Sequence, residues 1–544
     1  MPNTPNTDIY LINAPLTIGD GRQIDFASAT AQANYFAGLP HLFVEDATYQ
    51  RREGKLRVPY FREDLNNYNY LMYRNSNGKR IFAYITDMEY LNDECTAISF
   101  VVDYFQTWLF QMNLRPCLVI REHTATDLPY EHTVPENLDA GIPIEVYRQK
   151  ATPVSMNAAT AAEFDANFRV MFCFTQEVSQ LHQTATPYPQ KFLGGMPAGV
   201  YYYAVGRADV QTVVDIINQH GLADAIVCAY TVPIAALDWE TFNTSPYVYI
   251  PSDLSIADVS VYPPTGWTIP HGSGVTTIKN RKCLSYPFHY YKLTTFSGKT
   301  VDLKTELFYG VSSGDPMKFA TVFSGQVGAQ MLVCPKKYAN LGSGATADAA
   351  DGKSFAYSVE YTDFPQVPTT SDVFKNYAAL NASKIGMEKA GIFIDAAKSM
   401  VKADSAVQFL EGAAGGAFAL AQMQANFNDM QRIPDRIQGT PGGSTLQQAH
   451  GAGVFLCEMS TRPEYMRQID DYFTMFGYKV NRLKTPSFKT RPHWNYLQTA
   501  NADVGGDIPA ADAEELQKIF NAGLTVWHYA SEFGTYDADN RVSV

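Results

Sequence analysis

Ser297-Gly298-Lys299-Thr300 has the residue types that close a phosphate-binding loop, in which backbone amides and a lysine grip a nucleotide's phosphates. That loop also needs a glycine five residues ahead of Gly298, and Leu293 stands there, so a hairpin turn is the expected structure. Glu122 and His123 put an acid beside a base. On a strand, neighbouring side chains point to opposite faces, so the two do not converge on one substrate. Glu514 and Glu515 fall on an expected helix and read as solvated surface, which leaves no convergent carboxylate pair for glycan hydrolysis. The ten histidines contain no His-Glu-x-x-His pair. His289, His493 and His528 lie among aromatic residues, where packing is the expected role. The seven cysteines, at 95, 117, 173, 228, 283, 334 and 457, are widely spaced and form no Cys-x-x-Cys. They read as small buried residues of a chain made in a reducing cytosol. No catalytic activity, cofactor or metal is expected.

The charge pattern points away from tight nucleic-acid binding. Net charge is −13, and an acidic surface repels phosphate. The densest basic cluster is Lys479, Arg482, Lys484, Lys489 and Arg491, expected as a solvated face or an inter-subunit ion pair. Repulsion is useful in one setting, a conduit through which DNA slides without sticking. The N-terminus has neither a basic nor an apolar region, so no signal peptide is expected. No apolar run reaches 18 residues, so no permanent membrane helix is expected either.

With 46% hydrophobic and 18% charged residues over 544 positions, the chain can bury a large core, divided over about three to five domains. The many Tyr and Phe favour strands. Residues 82–91 and 96–105 read as a long hairpin turning at Asn92, Asp93 and Glu94. Between 150 and 235, strands at 168–175, 200–205 and 225–232 flank a helix over 209–220 capped by Gly221. Strands with Gly/Pro turns return over 236–370, including 300–308 and 318–323, and 342–352 reads as a loop or hairpin tip. Thr370-Ser371-Asp372 is a helix start signal. Phe393, Ala396, Met400, Ala403, Val407 and Leu410 follow heptad spacing, and a second helix covers 418–430, so 376–444 reads as a helical hairpin inserted into a β protein. Strands at 453–459, 478–483, 496–502 and 524–528, with helices at 463–475 and 510–521, spell βαββαβ, a ferredoxin-like order in which Asp512 begins the second helix and Gly523 ends it.

The most distinctive residues carry no chemistry. Phe473 and Gly477-Tyr478-Lys479-Val480-Asn481-Arg482 open a run ending at Pro486; Asn495-Tyr496-Leu497-Gln498-Thr499 follows; Ile519-Phe520 and Gly523-Leu524-Thr525-Val526-Trp527-His528 close it. Upstream stand Glu89, Asp103, Gln106-Thr107-Trp108 and Val119-Ile120-Arg121-Glu122-His123. In this order the chain resembles the tail knob, or distal tail tube, proteins of small short-tailed bacteriophages.

The resemblance implies an α+β multidomain chain in a ring-forming tube. Its expected parts are an N-terminal β-rich tube domain (1–148), a small α/β domain (149–235), a second β-rich tube domain with protruding loops (236–375), the helical insertion (376–444) and the ferredoxin-like C-terminal segment (445–544). It implies a homohexamer attached to the lower collar and tail tube proteins, and genomic DNA in transit without sequence-specific binding. It places the chain in the virion tail after synthesis in the host cytoplasm. It also implies that the insertion closes the lumen and contacts the host membrane, for which Ile385, Ile392, Phe393, Ile394, Phe409, Leu410, Phe418 and Leu420 are the candidate residues. Read from its residues alone, the insertion could equally be a bundle packed on the body. Lys384, Glu388, Lys398 and Glu411 make it more charged than the family pattern, which favours plugging over membrane spanning. A receptor-binding adsorption protein and the trimeric baseplate hub of a contractile machine are the alternative readings.

Overall fold

The computed structural model describes residues 7–50, 53–75, 77–151, 160–181, 191–192, 196–197, 199–234, 247–249, 255–271, 274–295, 297–324, 329–339, 355–362, 364–367, 369–371, 436–438 and 453–542. They fall into two units. One gathers 1–146, 264–290 and 459–544; the other gathers 147–263 and 291–458. Each unit is therefore assembled from separated stretches.

The first unit opens with a closed six-stranded barrel in the order Thr7–Ile12, His41–Gln50, Lys55–Val58, Cys95–Val102, Arg80–Asn92 and Tyr70–Arg74. Strand alternation fills it: Thr96, Ile98, Phe100 and Val102 are buried while Val101 is exposed. Ile9, Leu11, Val44, Leu56, Leu71 and Ile81 complete that core. The Arg80–Asn92 and Cys95–Val102 hairpin is as expected and turns between Asn92 and Cys95. Its second strand stops short of the expected end, because Asp103 caps a short helix, Tyr104–Trp108.

The same unit holds a five-stranded sheet ordered Arg22–Ile24, Leu524–Trp527, Trp494–Ala500, Cys117–Glu122 and Tyr478–Lys484. The helices Pro463–Phe476 and Ala510–Ala522 bury Met466, Ile469, Phe473, Leu516 and Phe520. The element types expected over 453–528 are all present, but the βαββαβ arrangement is not. Val454–Ser460 joins a different four-stranded sheet, with Ile144–Lys150, His289–Thr295 and Thr300–Leu303. In the C-terminal sheet Cys117–Glu122 stands instead between Tyr478–Lys484 and Trp494–Ala500 and pairs with both. Val454–Ser460 is buried at every position, so it has no solvent face to fix its register locally.

In the second unit, a sheet ordered Ile226–Pro233, Phe168–Phe174, Tyr201–Val205 and Tyr247–Tyr249 packs against the helix Val210–Gln219 through Val170, Phe172, Phe174, Val213 and Ile217. Another sheet runs Ser255–Val261, Met317–Ser324, Gln330–Lys336 and Val359–Tyr361. The Ser297–Thr300 segment is the hairpin turn expected, joining His289–Thr295 to Thr300–Leu303. That second strand ends at Leu303 rather than near 308, and 3₁₀ turns follow. Thr369–Ser371 pairs antiparallel with Arg436–Gln438, and the helix expected to start from Thr370-Ser371-Asp372 lies outside the described residues. This ribbon joins the two ends of the 372–435 insertion, which itself lies outside the described residues, as does 340–354.

Candidate functional site

The densest concentration of functional groups in the first unit is a buried polar junction between an irregular segment, 123–143, and the C-terminal motifs. Asp127 is fully buried. Its carboxylate accepts from the Tyr478 hydroxyl at 2.7 Å, and the Arg491 guanidinium lies 3.8 Å away. Burial pushes this carboxyl above its ordinary pKa, and Arg491 and the Tyr478 hydroxyl pull it back. Glu136, whose side chain is 1% exposed, is held by the Arg121 guanidinium and the Lys282 ammonium and accepts the Lys479 backbone N–H at 2.9 Å. Burial and the positive charges of Arg121 and Lys479 press Lys282 down to about 7. The Glu136 carboxylate in contact with it opposes that shift. Lys282 also donates to the Val134 carbonyl at 2.9 Å.

Two further groups tie this junction to helix Pro463–Phe476. Asp470 accepts the backbone N–H groups of Lys279 and Asn280 at 2.8 and 2.9 Å, and the Asn280 side chain at 3.0 Å. His123 Nδ1 accepts the Tyr496 backbone N–H at 2.7 Å, and Nε2 faces the Thr474 carbonyl at 3.2 Å. This fixes the neutral Nε2–H tautomer. Burial, together with the nearby Arg491 charge, lowers the His123 pKa to about 3.

A second polar core surrounds Asp103. It caps Tyr104–Trp108 by accepting from the Gln106 N–H at 3.0 Å, and it also accepts from Tyr70 Oη at 3.0 Å and Gln23 Nε2 at 3.1 Å. The Gln106 amide donates to the Ile24 carbonyl and to Gln23 Oε1, both at 2.8 Å. Trp108 Nε1 donates to Asp512 at 2.9 Å. Asp512 therefore does not begin its helix; Pro509 precedes the first turn and Asp512 sits within it. A cavity of about 320 Å³ opens beside this core, walled by Ile18, Val101, Tyr104, Ile519 and Leu524.

Chemically these groups hold rather than react. Asp127, Glu136, Asp470 and Asp103 are each occupied by protein donors. Glu122 and His123 turn apart as expected: Glu122 meets Lys484 at 2.7 Å, while His123 is engaged with Tyr496 and Thr474. Sequence spacing also puts a Gly-x-Ser-x-Gly at Gly310–Gly314. Ser312 lies exposed in a 3₁₀ turn between two left-handed glycines, not at a strand-to-helix elbow. Among the described residues no His/Cys/Asp/Glu group could hold a metal, and no helix is long and apolar enough to cross a membrane.

The residues forming both polar cores include members of the distinctive runs, Asp103, Gln106, Trp108, Arg121, His123 and Tyr478. A family model described as the C-terminal domain of tail knob protein gp9 of Bacillus phage phi29 matches residues 262–541, more than half of the chain. The chain belongs to the tail knob protein family. A second family model, the N-terminus of caudoviral major tail proteins, matches 6–113 and so spans the barrel. Tail knob proteins gp9 of Bacillus phages PZA and phi29 are each 24% identical to it, over 95% of this chain and 95% of theirs. The fold is that of the bacteriophage C1 tail knob protein gp12, with a TM-score of 0.64 and 14% identity over 99% of both chains. As a tail knob protein the chain is a structural component of the virion tail.

Within that family setting three of the five cations of the basic cluster meet carboxylates inside the chain. Lys484 pairs with Glu122, Lys489 with Asp25 at 2.8 Å, and Arg491 with Asp127. Sequence reasoning read these cations as solvated or inter-subunit because their acidic partners lie hundreds of residues upstream. The plug residues Ile385, Ile392, Phe393, Ile394, Phe409, Leu410, Phe418 and Leu420 all lie outside the described residues.

Proposed function

We propose that this tail knob protein assembles as a homohexamer around a channel, at the distal end of the tail and joined to the lower collar and tail tube proteins. The channel conducts genomic DNA at ejection without sequence-specific contact. The 376–444 insertion closes it in the virion and meets the host membrane when released. The role is mechanical rather than enzymatic.

The observation that carries this reading is the likeness in fold to a tail knob protein over essentially the whole of both chains. Charge agrees with it. The net charge of −13 sets a repulsive potential for phosphate. Several C-terminal cations are already paired with carboxylates, as at Lys484, Lys489 and Arg491. The Thr369–Ser371 and Arg436–Gln438 ribbon supplies a stem from which an insertion can be held or released as one piece.

Native mass spectrometry of the purified chain tests the assembly, with six copies expected. Three copies would favour a baseplate hub. Monomers that bind host cells would favour an adsorption protein. Joining Ser371 to Arg436 through a short linker tests the plug. Rings should still form while DNA retention and vesicle leakage change; if retention and leakage are both unaltered, the insertion is not a plug.

A further inference from the structure

Two thiols meet on the small sheet of the second unit. Cys173 and Cys228 are register partners on the adjacent antiparallel strands Phe168–Phe174 and Ile226–Pro233. Directly opposed residues stand about 4.5 or 5.5 Å apart at Cα, depending on their place in the ladder. A disulfide spans about 4.4–6.8 Å, so either position satisfies it. Opposed partners also leave the same face of the sheet. Cys173 Sγ donates to Tyr230 Oη at 3.8 Å, and each thiol is near enough to shift the other's pKa. On either side of Cys173, Phe172 and Phe174 turn to the other face, into the core with Val213 and Ile217. Cys173 is 1% exposed, whereas Cys228 is half-buried and lies on the strand at one end of the sheet order.

We propose that Cys173 and Cys228 are a redox-active dithiol that closes to a cross-strand disulfide, by exchange with a small-molecule disulfide, once the virion has left the reducing host cytosol. Reducing cytosol keeps such pairs as thiols and an extracellular setting does not. Cys228 reacts first, being the accessible sulfur, and the neighbouring Cys173 thiol lowers its pKa. Its proton goes to solvent, and the thiolate attacks one sulfur of the reagent RSSR. The reagent's S–S bond breaks and RS⁻ departs. Cys173, whose thiol burial pushes up, stays protonated until this point. Its proton then passes to a departing thiolate as its sulfur attacks Cys228, breaking the mixed disulfide and releasing the second RS group. Two protein thiols are oxidised and one RSSR is reduced to two RSH. The bond adds a covalent staple between two strands already paired through their backbone ladder.

The test incubates the purified full-length chain in glutathione buffers of rising oxidised-to-reduced ratio, then alkylates it under denaturing conditions. The expected result is loss of two of the seven alkylatable thiols, and a digest peptide linking Cys173 to Cys228. The thermal midpoint should rise on oxidation and return with reductant. Cys228→Ser should leave Cys173 alkylatable at every ratio. Peptide mapping of the unaltered chain stands even where that variant folds poorly. The proposal is overturned if all seven thiols remain alkylatable in the most oxidising buffer, or if the linked peptide joins other cysteines.

Discussion

At the scale of single residues, burial sets Glu136 of the polar junction apart from Glu515 on the surface of helix Ala510–Ala522. Both carry carboxylates paired with lysine, but Glu136 is 1% exposed while the Glu515–Lys518 pair is in solvent. Glu136→Ala leaves Arg121 and Lys282 buried without their counter-charge, and should cost about 3–5 kcal/mol in urea denaturation. Glu515→Ala should change stability by less than about 0.5 kcal/mol. A loss below about 1 kcal/mol for Glu136→Ala would mean that water reaches the pair. Burial sets His123 apart as well. Its folded pKa of about 3 lies below the roughly 6.5 of an unfolded histidine. Between those values the unfolded chain binds a proton that the fold refuses. The stabilisation is therefore complete above about pH 6.5 and is lost as pH falls toward about 3. Urea midpoints over that range should slope less in His123→Asn, which keeps an acceptor without a titrating ring; equal slopes would show that His123 is not the group responsible. None of this was legible from the sequence. Arg121, Glu122, Asp127 and Glu136 look like any charged surface of a strand and loop, because nothing local reveals that Tyr478, Lys282 and Arg491 will close over them.

Element by element the sequence was far more informative, since periodicity and punctuation are local. The Arg80–Asn92 hairpin, the Val210–Gln219 helix and the two C-terminal helices stand close to where their patterns put them. Errors arose where a side chain served something distant. Asp512 suits a helix cap by its residue type but bonds Trp108 instead. Gly477 shows a local signal with a long-range cause. It ends helix Pro463–Phe476 at φ +60 and ψ −152, a conformation essentially reserved for glycine. A Cβ there would also lie 2.2 Å from the Glu122 carbonyl oxygen on the neighbouring strand. Gly477→Ala should therefore lower stability by at least about 2–3 kcal/mol, combining backbone strain with displacement of Cys117–Glu122. Gly266→Ala, with open space around the site, is the matched control and should be near neutral. Equal denaturation midpoints for the two variants would remove the close approach at Gly477 as a constraint.

Across the whole molecule, the order of elements along the chain misleads about what folds with what. From sequence the C-terminal stretch reads as four strands and two helices, a self-sufficient ferredoxin-like unit. Its sheet, however, needs Cys117–Glu122 between Trp494–Ala500 and Tyr478–Lys484, and Arg22–Ile24 alongside Leu524–Trp527. The polar junction follows the same plan, with Asp127 and Glu136 contributed by the N-terminal stretch and Lys282 by the middle one. A fragment of residues 453–544 alone would leave the facing edges of Tyr478–Lys484 and Trp494–Ala500 unpaired, and Arg491 without Asp127. Such edges invite aggregation rather than a stable domain. Expressed by itself, the fragment should lack a cooperative thermal transition. Supplying residues 1–146 and 264–290 in trans should restore one, because all three stretches belong to the same unit. Cooperative unfolding of the isolated fragment would mean that the C-terminal elements form a sheet of their own, and that Cys117–Glu122 is an addition to it rather than a required member.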